Sequence, residues 1–380
     1  MMGTVEALKE PTTKTKFVED MTLKELNAAQ NIPSGLSNLG NTCYLNATLQ
    51  CLKAMPELSD LLKSCTLGYD NDNQKNLLLS LRDTFKMVDK CAGEVTPLML
   101  LGYLRSVNPQ FAQQSNQGFY MQQDAEECWS FLMETLRSSM KHLNVDNFIE
   151  KFMVGEMISV TKCDDVPEEE ATFSSSSFIK LNCHISSEIS QVASGLERGL
   201  IESFEKNSST GRLARYTKTS KLNSLPVYLP INFIRFFWKQ SEQIKAKILK
   251  KVQFPLILDV YPFCSQELQS KLLPAREAFR KFDDAKDVSA QTLSDEEIKE
   301  FGEYPLSGYY DLVAVLTHVG RSADSGHYIG WSKKGNDWWK FDDEKVTKVS
   351  SDDILKLDGG GDWHAAYMLL YRERQLKSAK

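Results

Sequence analysis

The apolar residues of this 380-residue chain change period once, near residue 150, and that change limits its fold more than any other feature. Before it, they recur at helical spacing. In CYLNATLQCLKAMPEL, starting at Cys43, they fall at Leu45, Leu49 and Leu52, and Pro56 is expected to end the helix. The clearest pattern runs from Phe119 to Met140, with Ala125, Cys128, Trp129, Leu132 and Leu136 on one face. After the change, residues 151–162 and 178–185 read as strands, and DDVPEEEATFSSSS between them reads as a polar tip. A helix is expected over 188–206, a β-rich block from Tyr216 to Trp238, and a buried strand at Pro255–Tyr261. Residues 264–305 are charged and partly helical, an insertion by composition. YYDLVAVLTH, GHYIGWS, DWWKFDD and WHAAYMLLYRE then return to strand patterns. Residues 1–30 form a polar lead-in with a short helix expected near Met21 to Gln30. The order is a helical lobe, a β arm and a β-rich lobe, an α+β chain.

Composition narrows the function. Hydrophobic residues at 42% and charged residues at 25% describe a folded soluble chain. No apolar run reaches the roughly 18 residues a bilayer span needs, and the N-terminus lacks a secretory core, so a cytoplasmic or nuclear location is expected. A net charge of −6 argues against nucleic-acid binding and suits a substrate segment carrying positive charge. Eight scattered cysteines without a CxxC pair point to a reducing compartment, and neither metal nor cofactor is expected; Cys163, Cys183 and His184 make only a weak metal set.

One of those cysteines is placed for chemistry. Cys43 follows a Gly/Asn/Ser-rich loop at a helix start, with Asn41 or Thr42 as the expected cap. Unpaired N–H groups and the helix dipole there favour a thiolate. Asn38, five residues upstream, can fold an amide donor back toward an oxyanion. Among the five histidines, His327 stands out because the small polar GRSADS loop before it leaves room for a substrate; His318 is its local competitor. An acid must hold the imidazole tautomer. GHYIGWS and DWWKFDD read as a hairpin. A four-residue loop at 333–336 sets His327 opposite Asp342. A two-residue turn at Gly335-Asn336 sets it opposite Glu344, with Asp342 a diagonal neighbour on the same face. Either register favours Asp342, and a bulge would favour Asp343 instead.

The run GLSNLGNTCYLNATLQCL, from Gly35 to Leu52, resembles the cysteine box of the ubiquitin-specific protease family. SGHYIGW resembles its histidine box, and QQDAEECWSFL, residues 122–132, its QDAxE element. FVEDM, LPVYLPINFIRFFWK and GGGDWHAAYMLLY are most similar to the proteasome-associated branch of that family. The resemblance implies a papain-like core: a helical thumb at about 31–150, β fingers at about 151–225 and a β-rich palm at about 226–380. It implies cleavage after the C-terminal glycine of ubiquitin. Cys43, His327, Asp342 and Asn38 would be catalytic, while Asp124, with Gln122 and Gln123, would receive the ubiquitin tail. Tyr328, Trp331 and Phe341 would wall the tail channel or pack the core. Asp124 also reads as a helix cap in D-x-x-E. The fingers lack the four cysteines that hold zinc in many relatives. The branch also implies loops over the channel, here Phe236–Leu249 and Gly320–Ser325. Nothing before residue 31 has room for the branch's ubiquitin-like docking domain, so the chain reads as a catalytic fragment or short isoform for which proteasome docking is not expected. A catalytically silent ubiquitin-binding scaffold is the alternative, disfavoured by the intact Cys, His and Asp set.

Overall fold

The computed structural model describes Thr22 and residues 32–91, 93–239, 244–284, 307–321, 325–361 and 363–374. The helix expected near residues 21–30 and the second half of the charged insertion lie outside the described residues.

A short strand β1 (Gly35–Leu36) leads into α1 (Cys43–Leu52), every residue of which is buried. Pro56 does not end that helix, which stops at Leu52; it opens α2 (Pro56–Ser64), where its missing N–H would have had no intrahelical partner. Next come α3 (Asn73–Lys90), capped by the Asp72 carboxylate, β2 (Glu94–Val95) parallel to β1, and α4 (Leu98–Val107). The pattern beginning at Phe119 becomes helical only at α5 (Ala125–Ser139). Asp124 caps that helix, accepting the Glu126 N–H at 2.8 Å, which fixes where it starts. α6 (Phe148–Phe152) closes the helical lobe.

The arm uses β3 (Gly155–Cys163) and β4 (Thr172–Phe178). The polar TFSSSSF, expected in a tip, is the edge strand β4, where exposed hydroxyl side chains face water. β5 (Leu181–Cys183) leaves the arm and joins the larger sheet. α7 (Val192–Gly199) is shorter than expected because the chain turns into β6 (Ile201–Asn207) after Gly199. A Cβ at Gly199 would stand 2.4 Å from the Asn182 carbonyl oxygen. β7 (Leu213–Ser224) completes an antiparallel sheet in the order β4-β3-β7-β6.

The rest is largely strand: β8 (Tyr228–Phe233), β9 (Phe236–Lys239), β10 (Ile244–Lys247) and β11 (Ile257–Asp259). Only three residues of PLILDVY form a strand, and Ile257 is exposed, because among the described residues β11 pairs solely with β12 near its start. α8 (Gln266–Asp284) is followed by β12 (Tyr309–Val319), β13 (His327–Lys334), β14 (Asp337–Asp342), β15 (Lys345–Val349), α9 (Ser351–Leu355) and β16 (Ala365–Glu373). The eight-stranded sheet runs β15-β14-β13-β12-β16-β8-β5, with β11 on β12.

Two apolar cores lie on the two faces of this sheet. One joins Leu45, Leu49 and Leu52 of α1 and Trp129 and Leu132 of α5 to Leu316, Tyr328, Tyr367 and Met368. The other gathers Ile231, Val315, Ile329, Trp331 and Leu369. Each buried Leu, Ile or Phe contributes about 1.5–3 kcal/mol, so the lobes are joined by packing rather than by a linker. Gly330 lets α1 lie against β13: a Cβ there would stand 3.1 Å from the Ala47 carbonyl oxygen and 3.2 Å from Gln50 Cβ. The fold is therefore α+β and papain-like, with a helix start on one lobe brought against a strand start on the other.

Candidate active site

Cys43 is the first residue of α1 and only 3% exposed. Its turn is shaped by side chains. Asn41 takes a left-handed conformation (φ 55°) and donates its amide to the Tyr120 carbonyl at 2.9 Å. Thr42 occupies the cap position without capping the helix; its hydroxyl accepts the Leu39 N–H at 2.9 Å. Asn38 Oδ1 accepts the N–H groups of Gly40 (3.0 Å) and Thr42 (3.3 Å). The loop is thus tied to itself, while the first-turn N–H groups of α1 have no intrahelical partner.

His327 opens β13 just after Gly326. A Cβ at Gly326 would stand 2.4 Å from both His318 Nε2 and the Val319 carbonyl oxygen. The β13–β14 hairpin turns through two residues, Gly335 and Asn336, with Lys334 opposite Asp337 and Gly330 opposite Phe341. The four-residue loop is not formed, and Asp342 is a diagonal neighbour of His327 rather than its partner in register. The diagonal is short enough: His327 Nε2 lies 2.7 Å from Asp342 Oδ1. Asp343 Oδ2 stays 3.9 Å from that nitrogen.

Asp343 has other work. It follows β14 directly with φ 53° and is buried, and its backbone oxygen accepts the Leu36 N–H at 3.0 Å. Its Oδ1 accepts the Asn46 amide at 2.8 Å and its Oδ2 the Asn38 amide at 2.8 Å. Asn38 therefore does not swing freely toward Cys43. One of its two amide hydrogens is committed to Asp343, which aims the other.

The electrostatics follow this geometry. The Asp342 carboxylate first, then Cys43, hold the His327 imidazole protonated, pushing its pKa up to about 10. His327, and after it Lys340, hold Asp342 below the usual carboxylate range. With Nε2 taken by Asp342, Nδ1 is the nitrogen left for Cys43. His318 has the opposite character. It is buried, its Nδ1 accepts the Lys247 ammonium at 2.8 Å, and burial, with Lys247 second, depresses its pKa to about 3. A neutral imidazole so engaged is no general base near neutral pH.

A second group of residues gathers about the start of α5 and the strands that face it. Gln122 donates to the Gly326 carbonyl at 2.9 Å, tying the approach to α5 to the residue before His327. Gln123 is buried. The Asp124 carboxylate, besides capping α5, accepts the Tyr367 hydroxyl on both oxygens, at 2.8 and 3.0 Å. Tyr328 is buried with Tyr367, their ring centroids 6.0 Å apart. Trp331 and Phe341 are core residues, with Trp331 Nε1 donating to Thr317 Oγ1 at 2.9 Å. Phe236, at the start of the β9–β10 hairpin, sets its ring edge-to-face with His318 and Tyr367 at 5.4 and 5.0 Å. Lys247, at the hairpin's other end, donates to the carbonyls of His318 (3.0 Å) and Gly320 (2.8 Å). Sequence reasoning passed over Tyr367 and Lys247. A tyrosine within an otherwise apolar AAYMLL run was a usable signal, since a buried hydroxyl needs a partner; Lys247 left none.

Cys163 belongs to the small core of the arm and Cys183 to the core of the large sheet. Among the described residues no cluster of three His, Cys, Asp or Glu side chains could hold a metal, and no helix is long and apolar enough to cross a membrane.

The profile of the family described as ubiquitin carboxyl-terminal hydrolase matches residues 34–371. Ubiquitin carboxyl-terminal hydrolase 6 of Arabidopsis thaliana is 39% identical, covering 98% of this chain and 85% of the relative. Ubiquitin carboxyl-terminal hydrolase 6 of Schizosaccharomyces pombe is 38% identical, covering 99% and 85%. Ubiquitin carboxyl-terminal hydrolase 14 of Caenorhabditis elegans is 33% identical, covering 99% and 81%. With a match over nearly its whole length, the chain belongs to the ubiquitin carboxyl-terminal hydrolase family of thiol-dependent deubiquitinating enzymes.

Proposed function

We propose that this enzyme hydrolyses the peptide or isopeptide bond after the C-terminal glycine of ubiquitin through a thioester on Cys43. The observation that carries the reading is the placement of His327 between Asp342, at 2.7 Å, and the Cys43 thiol. Cys43 gives its proton to His327, and the thiolate attacks the glycine carbonyl. The oxyanion is received by the remaining Asn38 amide hydrogen and the first-turn N–H groups of α1, a contribution of about 3 kcal/mol per donor in comparable sites. His327 protonates the departing lysine amine. Water, deprotonated by the same imidazole, then opens the thioester and frees the ubiquitin carboxylate and the thiol. No step calls for a metal or cofactor.

The tail of ubiquitin is assigned to the passage bounded by Gln122, Gln123, Asp124 and Tyr328. Extended glycines can thread such a passage where side chains cannot. The helical lobe serves as thumb (about 31–150), the arm as fingers (about 151–225) and the large sheet as palm (about 226–380). The β9–β10 hairpin restrains basal turnover, a reading supported by the hold of Phe236 and Lys247 on the tail-passage wall. We place the enzyme in the cytoplasm or nucleus. Proteasome contact is assigned no surface on the described residues.

Hydrolysis of a ubiquitin–fluorophore conjugate, compared with Cys43→Ala, tests the reading. Turnover lost in the variant and labelling of Cys43 by a ubiquitin probe with an electrophilic C-terminus are the expected results. A chain that binds ubiquitin but neither turns over nor reacts would be a scaffold instead.

A further inference from the structure

Asp342 has two carboxylate oxygens, and only Oδ1 meets His327. Oδ2 accepts the ammonium of Lys340 at 2.9 Å. The two residues are two positions apart on β14 and so share a face. Lys340 stands opposite Trp331 in the β13–β14 register, its Nζ 5.7 Å from the indole ring. Trp331 is itself buried and held by Thr317. The ammonium therefore has a seat, with an immobile ring on one side and the carboxylate on the other. An ordinary surface lysine beside an aspartate has no such wall and contributes little.

We infer that Lys340 is a positioning residue for the reaction, holding the Asp342 carboxylate in the one orientation that keeps the His327 imidazole turned toward Cys43. The inference rests on the hydrolase reading of the site. Its physical basis is the softness of the final aspartate torsion, an sp³–sp² bond with a broad energy profile. A carboxylate with a single partner can pivot and carry the imidazole with it. A second, charge-assisted bond on the other oxygen removes that freedom. Among the described residues, the ionisable groups around Asp342 and His327 are Lys340 from the same strand, Lys345 opposite Asp342 on β15, Asp343 just after the strand, Cys43 from α1, His318 from β12 and His364 just before β16. Lys340 is the cation bonded to the carboxylate that faces the imidazole.

The test uses the full chain, ubiquitin–fluorophore hydrolysis across pH and thermal denaturation, with Lys340→Met, Lys340→Gln and Lys340→Arg. Lys340→Met and Lys340→Gln should lower kcat about ten-fold, the cost of one charged hydrogen bond, with KM within about two-fold. The alkaline limb of the pH–rate profile should move upward by about half a unit, because a cation that disfavours the imidazolium is gone. Lys340→Arg should recover most of the rate. An unchanged kcat and pH profile in folded Lys340→Met overturns the inference while leaving the hydrolase reading intact. A rate loss shared by Lys340→Arg, or matched by a fall in Tm, marks a merely structural role and also overturns it. A parent chain that neither turns over nor reacts with the electrophilic probe sinks both.

Discussion

Two adjacent aspartates at the end of one strand divide the labour between them. Asp342 bonds the imidazole and Asp343 bonds the amides of Asn38 and Asn46. Replacing them should give different signatures. Asp342→Ala should reduce kcat by about 10²–10⁴, as when a triad acid is lost. It should also bring the alkaline limb down from about 10 toward the ordinary histidine value of 6.5, since the anion that keeps His327 protonated has gone. A pH–rate profile with its alkaline limb unmoved would refute that role. Asp343→Ala should lower the limb far less than Asp342→Ala does, because its carboxylate acts on His327 only from 3.9 Å, and should lower kcat about 10²-fold, as expected for a misdirected oxyanion donor. The Asp343→Ala/Asn38→Ala double variant should be little worse than either single one, because both changes remove the same donor. Full additivity would show that the two act independently.

Elements decide which residues meet. The two-residue turn at Gly335-Asn336, with Gly335 at φ 62°, sets the register that brings Asp342 diagonally to His327. A one-residue slip would turn Asp342 to the opposite face. Among the described residues the β9–β10 hairpin pairs only with itself, and Phe236 and Lys247 join it to His318, Tyr367 and Gly320. Lys247→Met should loosen that hold and raise basal ubiquitin–fluorophore turnover about three-fold or more, with faster amide exchange over 236–239. A rate that stays level or falls would end the restraint reading.

At the scale of the molecule, the site exists because the helical lobe and the sheet share a core. Glu57 of α2 adds a polar tie, accepting from the Tyr228 hydroxyl at 2.5 Å and from Arg372. Beside Arg372, at the end of β16, lies a cost to the native state. Glu373 is 2% exposed, both its carboxylate oxygens lack a hydrogen-bond partner among the described residues, and burial pushes its pKa up to about 8 from 4.5. Below pH 4.5 it is protonated in both folded and unfolded chains and contributes no pH dependence. Between 4.5 and about 8 the unfolded chain ionises first, so stability falls as pH rises. Above that window the penalty is constant. Glu373→Gln should flatten this slope, with its largest gain in Tm near pH 8 and the smallest near 4.5. Parallel stability curves for parent and variant would contradict the assignment.

The α+β class was legible in the single change of hydrophobic period, and the place of Cys43 at a helix start in the glycine-containing loop before it. Local chemistry carries such features, because spacing and turn residues act within a few positions of one another. Boundaries were less legible where neighbours intervened. The Asp124 cap shortened the helix expected from Phe119, and Pro56 began a helix instead of ending one. Giving Asp343 to Asn38 and Asn46 depended on contacts across 305 and 297 positions. Those contacts exist only after α1 packs on β13 over Gly330. The chain alone thus settles which side chains are chemically able to act. Packing settles which of them face each other, because hydrogen bonds select partners by distance and direction, and only the assembled cores supply both.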